Sequence, residues 1–482
     1  MTRGERVGVG RLSASERAVL PFYAVNTDAA LAGLQRATVQ FGHGSVEWAS
    51  AMCDFGNALL GTGQHDRAAD CFRQAAAVKP RDHESRKDRL TYLTNQGVAL
   101  SWAGRHREAE KVLRRGLKER LTFYGREHAG YAFGLEPLAE LLRRRGKLRD
   151  ARPVAEEAVA NLSRNGHERL ASALVLRAAI IQAAGGGEPL FGDLRRLPDE
   201  VVAEVGLVAV QMTGPDEPVS EPLLVATIAV LDERLGPDHQ ATVRALSALA
   251  NLGGAGRTEA IERVFASYER QGRQEDALTA ELALALALAP EAALRRYESA
   301  HARADRIGRP ELRSQVLRNW GLALRDAGQA GPAEQRLTEA MHQGRLGSDN
   351  ETLGRAAVAL GVFLQHQERL DEAQAVLQEG LAAMDPAHPD AIVGRSHLGA
   401  ARDGHTCGCD AGYLSDSLAN AFREFVLARL PADLFDRLDV SIADGDFRVE
   451  VGLRRAPADG EIDRLNEVFT TAHAEFRQRL RR

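Results

Sequence analysis

The stretch GNALLGTGQHDRAADCFRQAAAVKP, residues 56–80, decides the fold. Small and large residues stand in it at fixed spacings: Gly56 is followed by Ala68, Phe72, Ala75 and Pro80 at successive offsets of 12, 4, 3 and 5 residues. This spaced series is called the ladder below. Two antiparallel helices cross closely only where small side chains meet, with larger side chains filling the next layer. The stretch therefore predicts two antiparallel helices joined by a short turn.

The same order of residues recurs four more times along the chain. The first positions of successive copies lie 41, 42 and 40 residues apart, from position 56 to 97, 97 to 139 and 321 to 361. Stacked helix pairs of this kind bury one continuous core, so the copies predict a mostly α-helical solenoid. The further copies are Gly97, Gly104, Ala109, Leu113 and Gly116; Ala139, Gly146, Ala151, Ala155 and Ala158; Gly321, Gly328, Ala333, Leu337 and Ala340; and Gly361, Ala373, Leu377 and Gly380.

The connectors between copies carry a second signature. They read YGREH at Tyr124–His128, LGPDH at Leu235–His239 and MDPAHP at Met384–Pro389. Ladder and connectors together resemble the tetratricopeptide repeats of the kinesin-light-chain type that are common in large bacterial proteins, whose units carry Gly-Pro-Asp-His-Pro before the first helix. The resemblance covers roughly residues 45–400, although the spacing exceeds the roughly 34 residues of the common repeat. It implies an α-solenoid of helix pairs with a concave groove.

The ladder is not uniform, and its interruptions predict the organisation of the chain. A helix from about Thr27 to Gln40 is expected to cap the first repeat, because an end repeat must cover an apolar face. Gly185–Gly187 and five prolines between positions 189 and 222 interrupt the pattern. The predicted division is a tail and capping helix at 1–44, regular repeats at 45–184, degenerate helical repeats at 185–257, further repeats at 258–402 and a small α+β domain at 403–482.

The pattern changes after Gly404. A helical segment from Tyr413 to Leu430 precedes two alternating segments, with apolar residues at 438, 440 and 442 and at 447, 449, 451 and 453. Asp444-Gly445 between them is a hairpin signal, and a final helix is expected from about Gly460 to Leu480. Because an isolated hairpin is marginally stable in water, these elements predict a small domain of helix, β-hairpin and helix.

Composition and charge give no reason to expect a nucleic-acid or membrane partner. The 62 basic and 67 acidic side chains give a net charge of -5, and no stretch approaches the roughly 20 apolar residues of a spanning helix. The charged N-terminal region does not resemble a signal peptide, and four cysteines in 482 residues do not make a disulfide framework. A cytosolic protein is therefore expected.

The repeat register predicts which side chains line the concave groove. Asn95 and Asn319 occupy the same repeat position, two residues before the small residue of the first helix. The resemblance implies that asparagine there bonds an extended peptide backbone, for which an amide is suited because it both donates and accepts. The alternative is that these are solvated helix residues without a partner. The predicted groove residues are Asn57, Asn95, Trp102, Arg318, Asn319 and Arg325.

Two recurring features have simpler interpretations than a catalytic or ligand site. His128, His239 and His388 stand in repeat connectors, where an imidazole can cap the following helix, and successive connectors lie too far apart to share one metal ion. The basic run Arg143–Arg149 is expected to be a solvated turn flanked by helix ends, with phosphate binding as the alternative.

The sharpest chemical cluster lies at the start of the C-terminal domain. His405, Cys407 and Cys409 are followed by Asp410. Thiolates and imidazole are ligands of zinc and copper(I), and the nearby glycines permit a curled loop. The usual zinc signature is a pair of Cys-x-x-Cys knuckles, whereas this is one compact triplet with no second pair, so Asp410, a distant histidine or another subunit would complete the site. The alternatives are a reactive thiol and a structural loop with idle thiols.

No dinucleotide turn, phosphate loop, HExxH helix or GxSxG elbow occurs in the chain. The sequence therefore predicts a non-catalytic scaffold or adaptor that binds a protein or peptide in the repeat groove and needs no cofactor. The alternative is a zinc-binding or thiol-dependent activity in the C-terminal domain, with the repeats recruiting a substrate protein. The sequence does not indicate an oligomeric state.

Overall fold

The computed structural model describes residues 27–186, 191–214, 219–385, 388–408, 411–427, 435–443, 446–453, 471–472 and 476. Within them, the chain forms twenty α-helices, one short 3₁₀-helix and a two-stranded sheet. Residues 1–272 and 273–482 make up two compact units, called unit 1 and unit 2 below. The predicted fold class, a mostly α-helical solenoid of helix pairs, is confirmed. The five-segment division stays a prediction.

Unit 1 contains twelve of the described helices. Each of the first eleven packs against the next helix in sequence. The 3₁₀-helix Gly192–Arg196 stands between the eighth and ninth of them. The helices are α1 (Thr27–Phe41), α2 (Val46–Gly61), α3 (His65–Ala77), α4 (His83–Trp102), α5 (His106–Tyr124), α6 (Ala129–Arg144), α7 (Leu148–Arg164), α8 (Leu170–Ala183), α9 (Asp199–Met212), α10 (Ser220–Arg234), α11 (Gln240–Leu252) and α12 (Arg257–Arg270).

Unit 2 contains eight described helices and the two strands. Here too each helix packs against the next, and the last helix packs on the first strand. The elements are α13 (Gln274–Ala287), α14 (Pro290–Ile307), α15 (Pro310–Asp326), α16 (Ala330–Leu346), α17 (Asn350–His366), α18 (Leu370–Ala383), α19 (Pro389–Arg402), α20 (Ala411–Leu427), β1 (Phe435–Ala443) and β2 (Asp446–Leu453).

The small residues of the ladder are the points where paired helices touch. A Cβ atom built on Gly97 of α4 would lie 2.5 Å from Leu113 of α5, and one on Gly321 of α15 would lie 2.7 Å from Leu337 of α16. Both distances are shorter than van der Waals contact allows. Alternate helices also pack on one another, namely α2 on α4, α4 on α6, α15 on α17 and α17 on α19. The first helices of successive pairs therefore stack side by side in each unit, as a solenoid requires.

The turn inside each pair ends in a left-handed residue. Gly104 has φ 77° and Gly328 has φ 75°, a conformation that glycine adopts without strain. Glu368 takes the corresponding place between α17 and α18 with φ 65°, and it is the one non-glycine residue with positive φ among the described residues. The helix pair at 350–383 therefore keeps the turn geometry with a residue poorly suited to it.

The connector histidines cap the helices that follow them. The Nδ1 atom of His128 accepts a hydrogen bond from the backbone N–H of Gly130 at 3.0 Å, and His239 and His388 accept in the same way from residues 241 and 390 at 3.2 and 3.1 Å. Each bond satisfies one of the N–H groups left unpaired at a helix start. The interpretation of these histidines as caps is confirmed.

The ends of the chain follow the expected pattern where the structure describes them. The capping helix is α1 at Thr27–Phe41. Strands β1 and β2 are antiparallel, with Leu438 opposite Val451 and Val440 opposite Val449, and α20 packs on β1. Phe422 and Phe425 of α20 contact the ring of Phe476 at centroid distances of 5.2 and 5.4 Å. The hairpin turn at 444–445 and most of the predicted last helix lie outside the described residues.

Candidate partner-binding surface

Two of the predicted groove residues meet on the first helices of unit 1. The Nδ2 atom of Asn95 on α4 donates a hydrogen bond to Oδ1 of Asn57 on α2 at 3.2 Å. Both side chains are half-buried on the stripe that α2 and α4 turn away from the core. The structure therefore brings together two amides from neighbouring repeats, which sequence register alone placed only on the same kind of face.

The bond between the two amides leaves polar groups of both unsatisfied. An asparagine amide offers two donor hydrogens and an acceptor oxygen. Within the described part of the chain, Oδ1 of Asn95 has no hydrogen-bond partner, and Nδ2 of Asn57 contacts only the Sγ atom of Cys53 at 3.9 Å. The pair thus retains a free acceptor and an almost free donor at the surface, the two groups that an extended peptide backbone needs.

Acidic side chains flank this asparagine pair. Asp54 and Asp88 lie at the surface of α2 and α4, where partial desolvation by neighbouring side chains raises the pKa of both carboxyl groups, and the charge of Glu84 raises that of Asp88 further. Burial, followed by the charge of Asp54, raises the pKa of the Cys53 thiol to about 12. Cys53 is therefore a protonated, unreactive thiol at neutral pH.

Trp102, the last residue of α4, packs against the start of α3 in the preceding helix pair. Its half-buried ring meets that of His65 edge to face at a centroid distance of 5.6 Å and lies against the core of unit 1. Among the predicted groove residues of unit 1, Asn57 and Asn95 have each other as partners, and Trp102 has a packing contact instead.

In unit 2 the predicted groove residues make different contacts. Arg318 donates from Nε and Nη2 to Oδ1 of its neighbour Asn319, at 3.2 and 3.0 Å. Burial, followed by repulsion from Arg355, lowers the pKa of Arg318 to about 10, so the guanidinium stays charged at neutral pH. The acceptor oxygen of Asn319 is therefore bonded to this arginine, whereas Asn95 uses one donor hydrogen in its bond to Asn57.

A charged network on α17 and α19 was not predicted. Nε of Arg355 lies 2.9 Å from Asp390, and Nε2 of His388 lies 3.2 Å from Glu351. The carboxylates of this network partly offset the repulsion between Arg355 and Arg318. The signal for it was the pair Glu351 and Arg355, which stand four residues apart on one helix face.

Arg325 lies at the end of α15 and pairs with its neighbour. Its guanidinium contacts the carboxylate of Asp326 at 2.7 Å. Burial, followed by the charge of Arg325, lowers the pKa of His366 on α17. The structure therefore places Arg325 near the end of α17.

The predicted metal cluster is described only in part. His405 and Cys407 are exposed, and the ring of His405 lies 6.0 Å from that of Tyr413. Cys409 and Asp410 lie outside the described residues, and no group of three metal-ligating side chains forms among the residues that are described. The metal assignment for His405, Cys407, Cys409 and Asp410 stays a prediction.

A buried polar network fixes the backbone on which that loop begins. Nε2 of Gln365 donates to the carbonyl of His405 at 2.8 Å, and the hydroxyl of Ser396 donates to the carbonyl of Gly408 at 2.5 Å. Nδ1 of His397 lies 2.6 Å from Oε1 of Gln365. Burial lowers the pKa of His397 to about 4, so the ring is neutral at pH 7. The loop at 405–408 is held by α17 and α19.

Four of the five cations in the basic run at 143–149 form ion pairs. Arg143 and Arg144 both contact Glu140 at 2.7 and 3.1 Å, and Arg145 and Lys147 both contact Glu110. Two carboxylates therefore contact four of its five cations, which agrees with a turn flanked by helix ends, and phosphate binding stays an untested alternative.

None of the described helices is both long enough and apolar enough to cross a bilayer.

Comparisons with known proteins support the repeat assignment. Residues 49–82 match the family described as tetratricopeptide repeat. The search of curated proteins found no match. The chain carries a tetratricopeptide repeat at α2 and α3, the pair on which the ladder was first seen.

Several solved structures are similar to this chain. One is a putative kinesin light chain of Podosopora anserina with nearly identical TPR-like repeats, at 17% identity and a TM-score of 0.33, covering 48% of this chain and 99% of that one. The Cut9-Hcn1 heterotetramer of the APC/C is 15% identical with a TM-score of 0.31, and the match covers 82% of this chain and 78% of that one. The TPR domain of P58(IPK) is 14% identical with a TM-score of 0.22, and the match covers 90% of this chain and 99% of that one.

Proposed function

We propose that this protein is a non-catalytic scaffold that binds an extended segment of a partner protein along the first helices of its repeats, with the Asn57–Asn95 pair as the central contact in unit 1. The observation that carries the proposal is the free acceptor of Asn95 beside the almost free donor of Asn57. An extended peptide presents one N–H and one C=O per residue, so it can satisfy both groups with its main chain.

Asn319 is a second contact of the same kind in unit 2. Its Oδ1 atom is held by Arg318, and its Nδ2 group has no hydrogen-bond partner among the described residues. It therefore presents a donor only. The charged Arg318 beside it favours a carbonyl or carboxylate of the bound segment at this position.

The alternative of a metal- or thiol-dependent activity in residues 403–482 has no support from the described residues and stays a prediction, as does the cytosolic location.

The test is peptide selection followed by substitution of the amides. Peptides selected from a displayed random library on the full-length protein are measured against Asn95→Ala, Asn57→Ala and Asn319→Ala. We expect about tenfold weaker binding for Asn95→Ala, because losing one hydrogen bond to a desolvated backbone costs about 1.5 kcal/mol. Gln74→Ala, on the exposed face of α3, is the matched amide control and should bind as the parent does.

A second measurement checks that the peptide main chain is recognised. Methylating one backbone nitrogen of the selected peptide at a time removes one donor and should weaken binding to the parent protein at one position but leave the Asn95→Ala variant unaffected there. Equal binding by the parent, Asn57→Ala and Asn95→Ala would refute the assignment of this groove.

A further inference from the structure

Unit 1 carries a strongly basic cleft where the connector after α3 meets α4 and α5. Two cavities of about 620 and 660 Å³ share Pro80 and Arg89 in their walls. We call them together the Arg89 cleft. It is distinct from the asparagine pair, because neither Asn57 nor Asn95 is among the residues that line the two cavities. The basic side chains that line the cleft are Arg73, Lys79, Arg86, Arg89, Arg115 and Lys118.

The charge of the cleft is unbalanced. Its six basic residues face a single lining carboxylate, Glu119, in a chain whose net charge is -5. Lys79, Arg86 and Lys118 are exposed and form no ion pair with any residue that the structure describes. Three full positive charges are therefore available to a ligand.

Internal contacts hold the centre of the cleft in place. Nε of Arg89 donates to the carbonyl of Ala76 at 2.9 Å, and its Nη1 group binds Glu119. Nε of Arg115 lies 3.0 Å from the same carboxylate. Burial raises the pKa of Glu119, but hydrogen bonds from Arg89 and Arg115 outweigh it and leave the pKa lowered. Glu119 is thus ionised and already engaged, and it orients two guanidinium groups without neutralising the three unpaired cations.

Apolar side chains make the cleft a favourable place for charge pairing. Pro80 and Leu90 line it, and the rings of His83 and Phe123 lie 4.6 Å apart at one side. Walls of this kind exclude water on one side, so a bound carboxylate interacts with the cations more strongly than on an open surface.

The excess of positive charge does not continue into the next connector along the chain. At the next connector, Arg126 contacts Glu157 at 2.6 Å and Arg164 pairs with Glu127. A nucleic-acid backbone carries charge continuously, about one per 1.7 Å in a duplex, and needs a basic stripe that continues beyond one junction. A short segment with a few carboxylates matches the extent of the cleft.

We propose that the Arg89 cleft binds an acidic segment of a partner protein, several glutamates or aspartates long, by ion pairs to Arg86, Lys118 and Lys79. The occupant is a protein segment because its charges can be grouped within the length of one junction. This surface adds a second point of attachment to a scaffold and does not depend on the asparagine groove.

The test uses a fluorescent hexaglutamate peptide, its hexaglutamine counterpart and the full-length protein, followed by fluorescence anisotropy. Hexaglutamate should bind and hexaglutamine should not. Arg86→Gln/Lys118→Gln should weaken binding by about tenfold or more, and raising NaCl from about 50 to about 300 mM should weaken it as well, because exposed charges are screened. Circular dichroism checks that the variant is folded.

Two controls separate this cleft from overall charge and from the groove. Arg107→Gln/Arg149→Gln removes the same charge from exposed positions outside the cleft and should change binding by less than about twofold. Asn95→Ala should leave hexaglutamate binding unchanged, so failure of either proposal can be recognised separately.

Three results would overturn the proposal. Hexaglutamate that fails to bind, or binds equally to parent and Arg86→Gln/Lys118→Gln, would show that the cleft is not the site. A single-stranded oligonucleotide of equal charge that binds more tightly, and loses affinity in the same variant, would make the ligand a nucleic acid. Self-association of the parent that the variant abolishes would make the occupant a second copy of this chain.

Discussion

Unit 1 and unit 2 share one helix-pair geometry, but each accommodates a buried arginine in its own way. Arg120 of α5 is 3% exposed and donates to the carbonyls of Leu90 and Gly130 and to the hydroxyl of Thr94. Arg303 of α14 is 4% exposed and contacts the carboxylate of Glu281 at 3.0 Å. Neutral acceptors surround the first arginine and a buried anion pairs with the second.

The two arginines differ in whether a carboxylate lies beside the buried guanidinium. Burial lowers the pKa of Arg120 to about 10, and no carboxylate of the described residues lies within ion-pair distance of it. Glu281 is fully buried. The two units therefore show that the ladder of small residues determines how helices pair, while the polar groups inside each pair are satisfied locally. Conservation of the ladder does not imply equivalence of the polar contacts.

The largest expected effect is the loss of stability when each buried arginine is replaced by methionine. Arg303→Met leaves Glu281 buried with only Arg296 nearby, 3.9 Å away, and should lower the free energy of unfolding by about 3 kcal/mol or more. Arg120→Met removes donors from neutral acceptors and should cost about 1–2 kcal/mol. Urea unfolding of the full-length variants measures both, with hydrogen exchange of α13–α14 and α4–α6 showing which unit is affected.

A double substitution tests the cause of the larger loss. Glu281→Leu added to Arg303→Met removes the stranded anion and should restore most of the stability, because a buried ion pair can be replaced by apolar residues at little cost. Equal losses for Arg120→Met and Arg303→Met would mean that carbonyls stabilise a buried guanidinium as well as a carboxylate does, and the contrast between the units would disappear.

The next effect tests what the units have in common. Gly97→Ala and Gly321→Ala each place a Cβ within 2.5–2.7 Å of the leucine on the partner helix, so each should lower the free energy of unfolding by about 1–3 kcal/mol. We expect losses of similar size in the two units because the contact is the same. Thermal and urea unfolding give the comparison.

Gly331→Ala is the matched control for this pair. A Cβ on Gly331 of α16 would meet nothing within 4 Å, so the substitution should be neutral or should stabilise the helix by up to about 1 kcal/mol. If Gly97→Ala were as mild as Gly331→Ala, the helices of unit 1 would be able to move apart, and close packing of the ladder would be a property of unit 2 alone.

Most of the fold could be predicted from the sequence because it rests on steric requirements. The offset of 16 residues from Gly56 to Phe72 recurs from Gly97 to Leu113 and from Gly321 to Leu337, and in the structure each of these glycines faces that residue. The capping role of the connector histidines was predicted as well, since it depends only on the local chain.

For the candidate site, the sequence predicted which helix face each side chain lies on but not which residue it contacts. Asn95 and Asn319 share a repeat position, but the partner of each depends on the neighbouring side chain: Asn57 for the first, and Arg318 for the second. Arg120 and Arg303 were missed because arginine at a surface helix is usually solvated. The available signal was their spacing, four residues after Gly116 and three after Ala300, which puts both on the buried face.

The smallest expected effect concerns the turn inside the helix pairs. Glu368 has φ 65° where Gly104 of unit 1 and Gly328 of unit 2 have φ 77° and 75°. A side chain in the left-handed region costs about 1–2 kcal/mol, part of which is offset because glycine loses more backbone entropy on folding. Glu368→Gly should therefore raise the free energy of unfolding by about 0.5–1 kcal/mol, measured by urea unfolding.

The reverse change at Gly104 completes this comparison of the units. Gly104→Ala introduces the strain that Glu368 already carries, and since a Cβ there meets nothing within 4 Å, any loss must come from the backbone. We expect a loss of about 1 kcal/mol. If Glu368→Gly raised the free energy of unfolding and Gly104→Ala lowered it, both turns would favour glycine at this position, and the pair at 350–383 would satisfy that preference less well. A loss on Glu368→Gly would instead mean that the glutamate side chain stabilises unit 2 by more than its backbone strain costs.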